Sequence, residues 1–73
     1  MRYAVEQRLR MIDFLADNYG YVNRNMLMDY FGISIPQASK DFSMYIKMAP
    51  DNIRYSTTEK TYKKNPEFKR IWE

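Results

Sequence analysis

Residues 31–42 read Phe31-Gly32-Ile33-Ser34-Ile35-Pro36-Gln37-Ala38-Ser39-Lys40-Asp41-Phe42, and the fold turns on this stretch. Gly32 stops the helix before it, because glycine takes the left-handed conformation of a helix end at no steric cost. Ser34 opens the next helix. Ser34 and Gln37 have the S-x-x-Q spacing of a capping box, and Pro36 falls in the first turn, where its missing N–H would be unpaired anyway. Ile35, Ala38, Phe42, Tyr45 and Ala49 then recur at i, i+3 or i+4, an apolar helical stripe that ends at Pro50. On the other side of Gly32, Asn23 is placed to cap a helix over 24–31 whose Leu27, Tyr30 and Phe31 face inward. The two helices meet across Gly32-Ile33-Ser34, a connection with the length and composition of a helix-turn-helix.

Working outward, Val5, Leu9, Ile12, Ala16 and Tyr19 line one face of a first helix over 3–18, which Gly20 stops. Tyr21-Val22 is long enough only for a brief strand or an extended connection. After Pro50 the period changes to two: Ile53 and Tyr55 alternate with Arg54, and Tyr62 lies between Thr61 and Lys63. With a polar, turn-like 56–60 between them, these runs predict a β-hairpin with Ile53, Tyr55 and Tyr62 turned inward. Its loop has no glycine, which argues against a two-residue turn. Asn65-Pro66-Glu67 resembles a helix start and predicts a short final helix carrying Phe68, Ile71 and Trp72. The expected fold is mainly α with a small β-hairpin: a winged helix-turn-helix, three core helices plus a wing and a short C-terminal helix, in one domain over 1–73.

Composition removes other classes. The 73 residues include no cysteine and no histidine, so a disulfide is impossible and a zinc site is not expected. No cofactor is expected either. No apolar run approaches the roughly 20 residues of a membrane span, and Met1–Arg10 lacks a signal-peptide core. With no cysteine to suggest an oxidising compartment, the expectation is a cytoplasmic protein that does not engage a membrane. Hydrophobic residues make up 45% and aromatics 16%, enough for so short a chain to fold. There is no nucleophile–base pair, no glycine-rich phosphate loop and no G-x-S-x-G, so no enzyme is expected. Asp13 and Asp17, four apart on one helix face, read as exposed groups pairing with Arg8 or Arg10 rather than as an acid–base pair.

The net charge of +3 is unevenly placed. Residues 1–22 and 65–73 each balance, and the excess lies in 23–64, where Arg24, Lys40, Lys47, Arg54, Lys60, Lys63 and Lys64 outnumber Asp29, Asp41, Asp51 and Glu59. Such a field favours a polyanionic partner, the alternative being chance clustering on a solvated surface.

The segment from Leu9 to Phe68 resembles the N-terminal winged helix-turn-helix of the WYL-domain, DeoR-like transcription regulators, which include repressors beside bacterial anti-phage defence operons. The resemblance rests on Arg8-Leu9-Arg10, Gly20-Tyr21-Val22-Asn23-Arg24 and above all residues 31–42. Ala49-Pro50-Asp51-Asn52-Ile53-Arg54-Tyr55 and Lys60-Thr61-Tyr62 extend it. The run Gln37–Phe42 is also similar to the recognition helix of DeoR-type regulators. The resemblance implies a bacterial or phage repressor that binds double-stranded DNA. The family continues into a ligand-sensing domain and a dimerisation segment beyond the length of this sequence, and no small-molecule effector site is expected within these residues.

A recognition helix reads base edges mainly with its N-terminal residues. Pro36, Gln37, Ser39, Lys40 and Ser43 are the expected base-reading set, with the charge of Lys40 directed to phosphate. Glutamine can bond an adenine edge and serine several bases. Asn23, Arg24, Ser34 and Lys47 are the expected phosphate contacts, through a helix N-terminus, a guanidinium, a second N-terminus and an ammonium. In the wing, Arg54, Thr57, Thr58 and Lys60 are placed for a phosphate or the minor groove, although exposed lysine on a hairpin also serves solubility alone. Tyr3, Met11 and Phe14 lie off the core face of the first helix and, with Ile71 and Trp72, form a candidate homodimer surface. The equal alternative is that the C-terminal segment folds back on the first helix of its own chain. The rival to DNA binding is a non-enzymatic protein-interaction module, for which apolar residues at 37, 39 and 43 would be expected instead.

Overall fold

The computed structural model describes residues 2–73. Helices α1 (Tyr3–Tyr19), α2 (Arg24–Phe31) and α3 (Ile35–Met48) carry a short strand β1 (Tyr21–Val22) between the first two and strands β2 (Ile53–Ser56) and β3 (Thr61–Lys64) after the third. The punctuation acts as its chemistry requires. Gly20 (φ 82°) and Gly32 (φ 65°) end α1 and α2 in the left-handed conformation. The Asn23 side chain accepts from Met26 N at 2.9 Å, and Ser34 Oγ from Gln37 N at 3.3 Å.

The strands form an antiparallel sheet in the order β1-β3-β2, so the brief β1 is tied to the wing through Tyr21–Lys63 and Val22–Tyr62. Thr61 Oγ1 donates to Val22 O at 3.2 Å inside the fold. In the core, Leu9, Ile12 and Ala16 of α1 pack with Val22, Leu27, Ile53 and with Ala38, Phe42 and Tyr45 of α3. The Tyr62 ring stacks on Phe42, centroids 4.1 Å apart and planes within 2°. The wing is thereby fixed directly to the back of α3.

Several inward assignments are corrected. Tyr30 and Ile35 are 63% and 54% exposed, and Tyr19 and Tyr55 also reach solvent. An eight-residue α2 has one narrow buried stripe, and Leu27 fills it. Tyr55 lies instead against the edge of Tyr62, centroids 4.8 Å apart.

The short C-terminal helix does not form. Residues 65–73 run as turns and irregular chain, because their backbone is bonded elsewhere. Asn52 binds the main chain of Lys69 from both ends of its amide, accepting from Lys69 N at 3.0 Å and donating to Lys69 O at 2.7 Å. Asp13 Oδ2 accepts from Ile71 N at 2.9 Å and Trp72 N at 3.2 Å. Asp13 is therefore fully buried rather than part of an exposed ion-paired face. Its other oxygen accepts from Tyr45 Oη at 2.6 Å, while Arg8 pairs with Asp41 and Arg10 with Glu6. No helix is long and apolar enough to cross a membrane among the described residues.

Candidate nucleic-acid interface

With Ala38, Asp41, Phe42 and Tyr45 buried, the opposite face of α3 consists of Pro36, Lys40, Ser43 and Lys47, all exposed. Their spacing places them in one stripe along the helix. The stripe carries two ammonium groups and no carboxylate. Its N-terminal end is the exposed first turn of α3, where the helix dipole favours an anion.

Gln37 and Ser39, expected on this face, stand on its flanks, half-buried, Ser39 bonded to α2 and Gln37 to a neighbour within α3. Ser39 Oγ accepts from the Arg24 guanidinium at 3.1 Å, which draws the expected phosphate ligand at the start of α2 against α3. Gln37 Nε2 donates to Asp41 Oδ1 at 2.9 Å, and Asp41 is held by Arg8 of α1. The capping box is therefore half-formed: Ser34 binds the backbone of residue 37, while the Gln37 side chain turns to Asp41 instead of reaching back.

Asn23, a half-buried cap, and Ser34, an exposed one, sit at the two helix starts. Arg24 also acts on the wing. Burial pushes the Tyr62 phenol above its ordinary value, and the Arg24 charge opposes that shift. α2, α3 and the wing therefore share one electrostatic neighbourhood.

The tip of the wing is Thr57, Thr58, Glu59 and Lys60, all exposed. Lys60 takes a positive φ of 54°, which is how the hairpin turns without glycine. Arg54 sits at the base rather than the tip. Its guanidinium, exposed, donates to Asn65 Oδ1 at 2.6 Å and Lys64 O at 3.2 Å. Lys63 pairs with Glu59, and Lys64 lies 3.5 Å from Asp17 and over the Phe68 ring. Thr57, Thr58 and Lys60 face outward at the tip, and Arg54 faces outward at the base.

The candidate dimer residues divide. Ile71 and Trp72 pack against the core of their own chain, joined by Met11, and Arg10 lies over the Trp72 ring at 5.4 Å. Tyr3, 79% exposed, and Phe14 stay open. A shallow groove lined by Gln7, Arg10, Met11, Phe14, Arg70 and Trp72 runs between α1 and the C-terminal segment.

Sequence reasoning missed two features of this region. Ile35, assigned to the core by its spacing, is an exposed aliphatic group at the first position of α3, suited to a thymine methyl. The Arg8–Asp41–Gln37 chain joins residues 33 apart, a separation at which no local pattern carries a signal.

Comparison with known proteins agrees with the geometry. The family model described as the BrxR transcriptional regulator winged helix-turn-helix domain matches residues 4–72. Among curated proteins, the chain is similar to the DNA-binding transcriptional repressor CapW of Escherichia coli (strain KTE188), 42% identical over 71 residues. It is also similar to the proteins of that name from Pseudomonas aeruginosa, at 41%, and Stenotrophomonas maltophilia, at 42%. Each match covers 97% of this chain and 24% of the relative, so the chain spans about a quarter of the length of these proteins.

Proposed function

Because the chain belongs to the family of BrxR-type winged helix-turn-helix regulator domains, we propose that it binds duplex DNA through α3 and the wing and represses transcription by occupying an operator. The observation that carries this reading is the outward stripe Pro36–Lys40–Ser43–Lys47, polar, positive and free of acid, with the Arg24 guanidinium bonded alongside it at Ser39. Pro36, Lys40 and Ser43 enter the major groove with Gln37 and Ser39 at the margins. Arg24, Lys47 and the N-terminal turns of α2 and α3 meet phosphates, and Thr57, Thr58 and Lys60 follow the backbone with the wing. The chain acts by binding alone, with no catalysed step, and its place of action is the cytoplasm of a bacterial cell.

A salt series tests the reading. Affinity for random-sequence duplex falls linearly on a log–log plot, with a slope of about −0.9 per phosphate neutralised. Arg24→Ala weakens all sequences equally and makes the slope shallower by about 1. A flat dependence, or no binding at low salt, overturns duplex binding and leaves the protein-interaction role.

Pairing of two copies is the second part of the proposal. One small domain makes few base contacts, and the open Phe14 beside the α1 groove offers an apolar contact. A two-fold pair reads half-sites about one helical turn apart or a multiple of it. Phe14→Glu separates the pair in sedimentation on a palindromic site, and a wild type that occupies that site as a monomer overturns it.

A further inference from the structure

Asp41 is a buried carboxylate on the recognition helix that no contact of the outward stripe uses. Arg8 Nε donates to its Oδ2 at 2.6 Å, a second guanidinium nitrogen to Oδ1 at 3.4 Å, and Gln37 Nε2 to Oδ1 at 2.9 Å. A carboxylate paired with a guanidinium offers lone pairs and no proton. The end of the Gln37 amide that faces Asp41 must therefore be its NH2. The other end, Oε1, takes no hydrogen bond among the described residues. A glutamine free to rotate shows a base either a donor or an acceptor, whereas this one is held with its acceptor away from the core.

We propose that Arg8 and Asp41 are positioning residues that set the base preference of Gln37, so that α3 reads an amino group, adenine N6 or cytosine N4, at the position it meets. This rests on the duplex DNA binding proposed above. In the major groove, adenine and cytosine present an amino donor, and guanine and thymine present carbonyl acceptors. Oε1 meets the former as a hydrogen bond and the latter as lone pair against lone pair. The second N–H of the amide stays available, so adenine, with N7 beside N6, can engage both ends.

The pairing rules also give the inversion. In Asp41→Asn, Arg8 can only donate, so it holds the new amide by its oxygen and the new NH2 turns to residue 37. Gln37 must then offer Oε1 inward and its own NH2 outward, which suits guanine or thymine. The shape is unchanged and the reading is reversed.

Selection from a pool of random duplexes tests this, with affinity for random duplex at low salt measured in parallel. For the wild type, one position of the selected site favours adenine or cytosine over guanine and thymine by about tenfold. Gln37→Ala loses that preference, and Asp41→Asn moves it towards guanine or thymine. Random-duplex affinity of Asp41→Asn stays within about twofold of wild type, since the buried carboxylate touches no phosphate. If Asp41→Asn selects the same base as wild type, or Gln37→Ala leaves every position unchanged, the assignment is wrong. A wild type that binds no duplex overturns DNA binding itself, a distinguishable failure. A second measurement needs no folded variant: in the free wild type the Gln37 side-chain NH2 protons exchange about tenfold more slowly than those of free glutamine. Exchange at the free rate shows that the amide is not held.

Discussion

Two buried aspartates hold α3 against α1 about one helical turn apart, and opposite means satisfy them. Asp41 is bonded to the guanidinium of Arg8, a formal charge that is itself partly exposed. Asp13 is bonded to a phenol and two backbone N–H groups, with the nearest cation, Arg70, at 4.0 Å and half-exposed. The difference follows what each pair holds. Asp41 fixes one side chain, Gln37, in the first turn of α3, where a charged partner gives a strong, directional hold. Asp13 closes the molecule, because it bonds the backbone at Ile71 and Trp72, and with Asn52 it supplies the hydrogen bonds that a helix over 65–73 would have made internally. The first cluster sets the detail of a surface, and the second replaces missing secondary structure.

Removing the carboxylate of one cluster and the cation of the other breaks the comparison most directly. Asp13→Ala strands the Tyr45 hydroxyl and two backbone N–H groups in the core, and costs about 3–5 kcal/mol. That is a large share of the stability of a domain this small. Arg8→Met leaves Asp41 with only Gln37, but water can enter where the guanidinium stood, and the cost is about 1–3 kcal/mol. Urea denaturation of both variants checks the order. Equal losses would show that charge pairing and neutral hydrogen bonding hold α3 to the same degree.

This contrast also marks where the sequence is legible. Asn23, Gly32, Ser34, Pro36 and Pro50 act on neighbours within four residues, so helices, turn and wing can be read in order along the chain. The Asp13 bonds reach across 32 residues to Tyr45 and 58 to Ile71. From sequence alone, Asp13 is one acid on a helix rich in arginine, and exposure is the natural reading. The same distance misled the reading of the C-terminus. Asn65-Pro66-Glu67 is a sound start signal, but so short a helix has too few internal bonds to compete with Asp13 and Asn52. At the candidate interface, the charge excess in 23–64 spans the outward stripe of α3 and the wing. Periodicity could not separate Gln37 and Ser39, on the flanks, from Lys40 and Ser43, in the stripe, because neighbouring positions differ by only 100° around the helix.

Tyr45→Phe sharpens the comparison at intermediate size. It removes one donor from Asp13 and the acceptor of Asn52 Nδ2, which keeps its bond to Lys69 O. The cost is about 1 kcal/mol at neutral pH. The alkaline limb carries a second signature. Burial first, then the hydrogen bond to Asp13, pushes the Tyr45 phenol well above its ordinary 10.0. The native state therefore keeps a proton that the unfolded chain releases. Stability is complete below about pH 10 and falls as pH rises past it. Urea midpoints measured between pH 8 and 11 decline more steeply for wild type than for Tyr45→Phe. Parallel slopes would mean that the phenol ionises as easily folded as unfolded, which the buried Asp13 contact forbids.

The smallest effect belongs to a pair that copies the chemistry of Arg8–Asp41 without its burial. Glu59 and Lys63 pair across the wing in solvent, where water screens the attraction and two long side chains lose entropy in meeting. Glu59→Gln changes stability by less than about 0.5 kcal/mol. Its effect on DNA binding is larger in proportion, because Glu59 is the one acid at the exposed tip beside Thr57, Thr58 and Lys60. Removing it also frees Lys63, so random-duplex affinity rises and the salt slope steepens by up to about 1. Thermal melts and a salt series on one preparation check both halves. A loss of stability near that of Arg8→Met would mean that burial is not what separates the two pairs. An unchanged duplex affinity would mean that the wing tip stays off the phosphates.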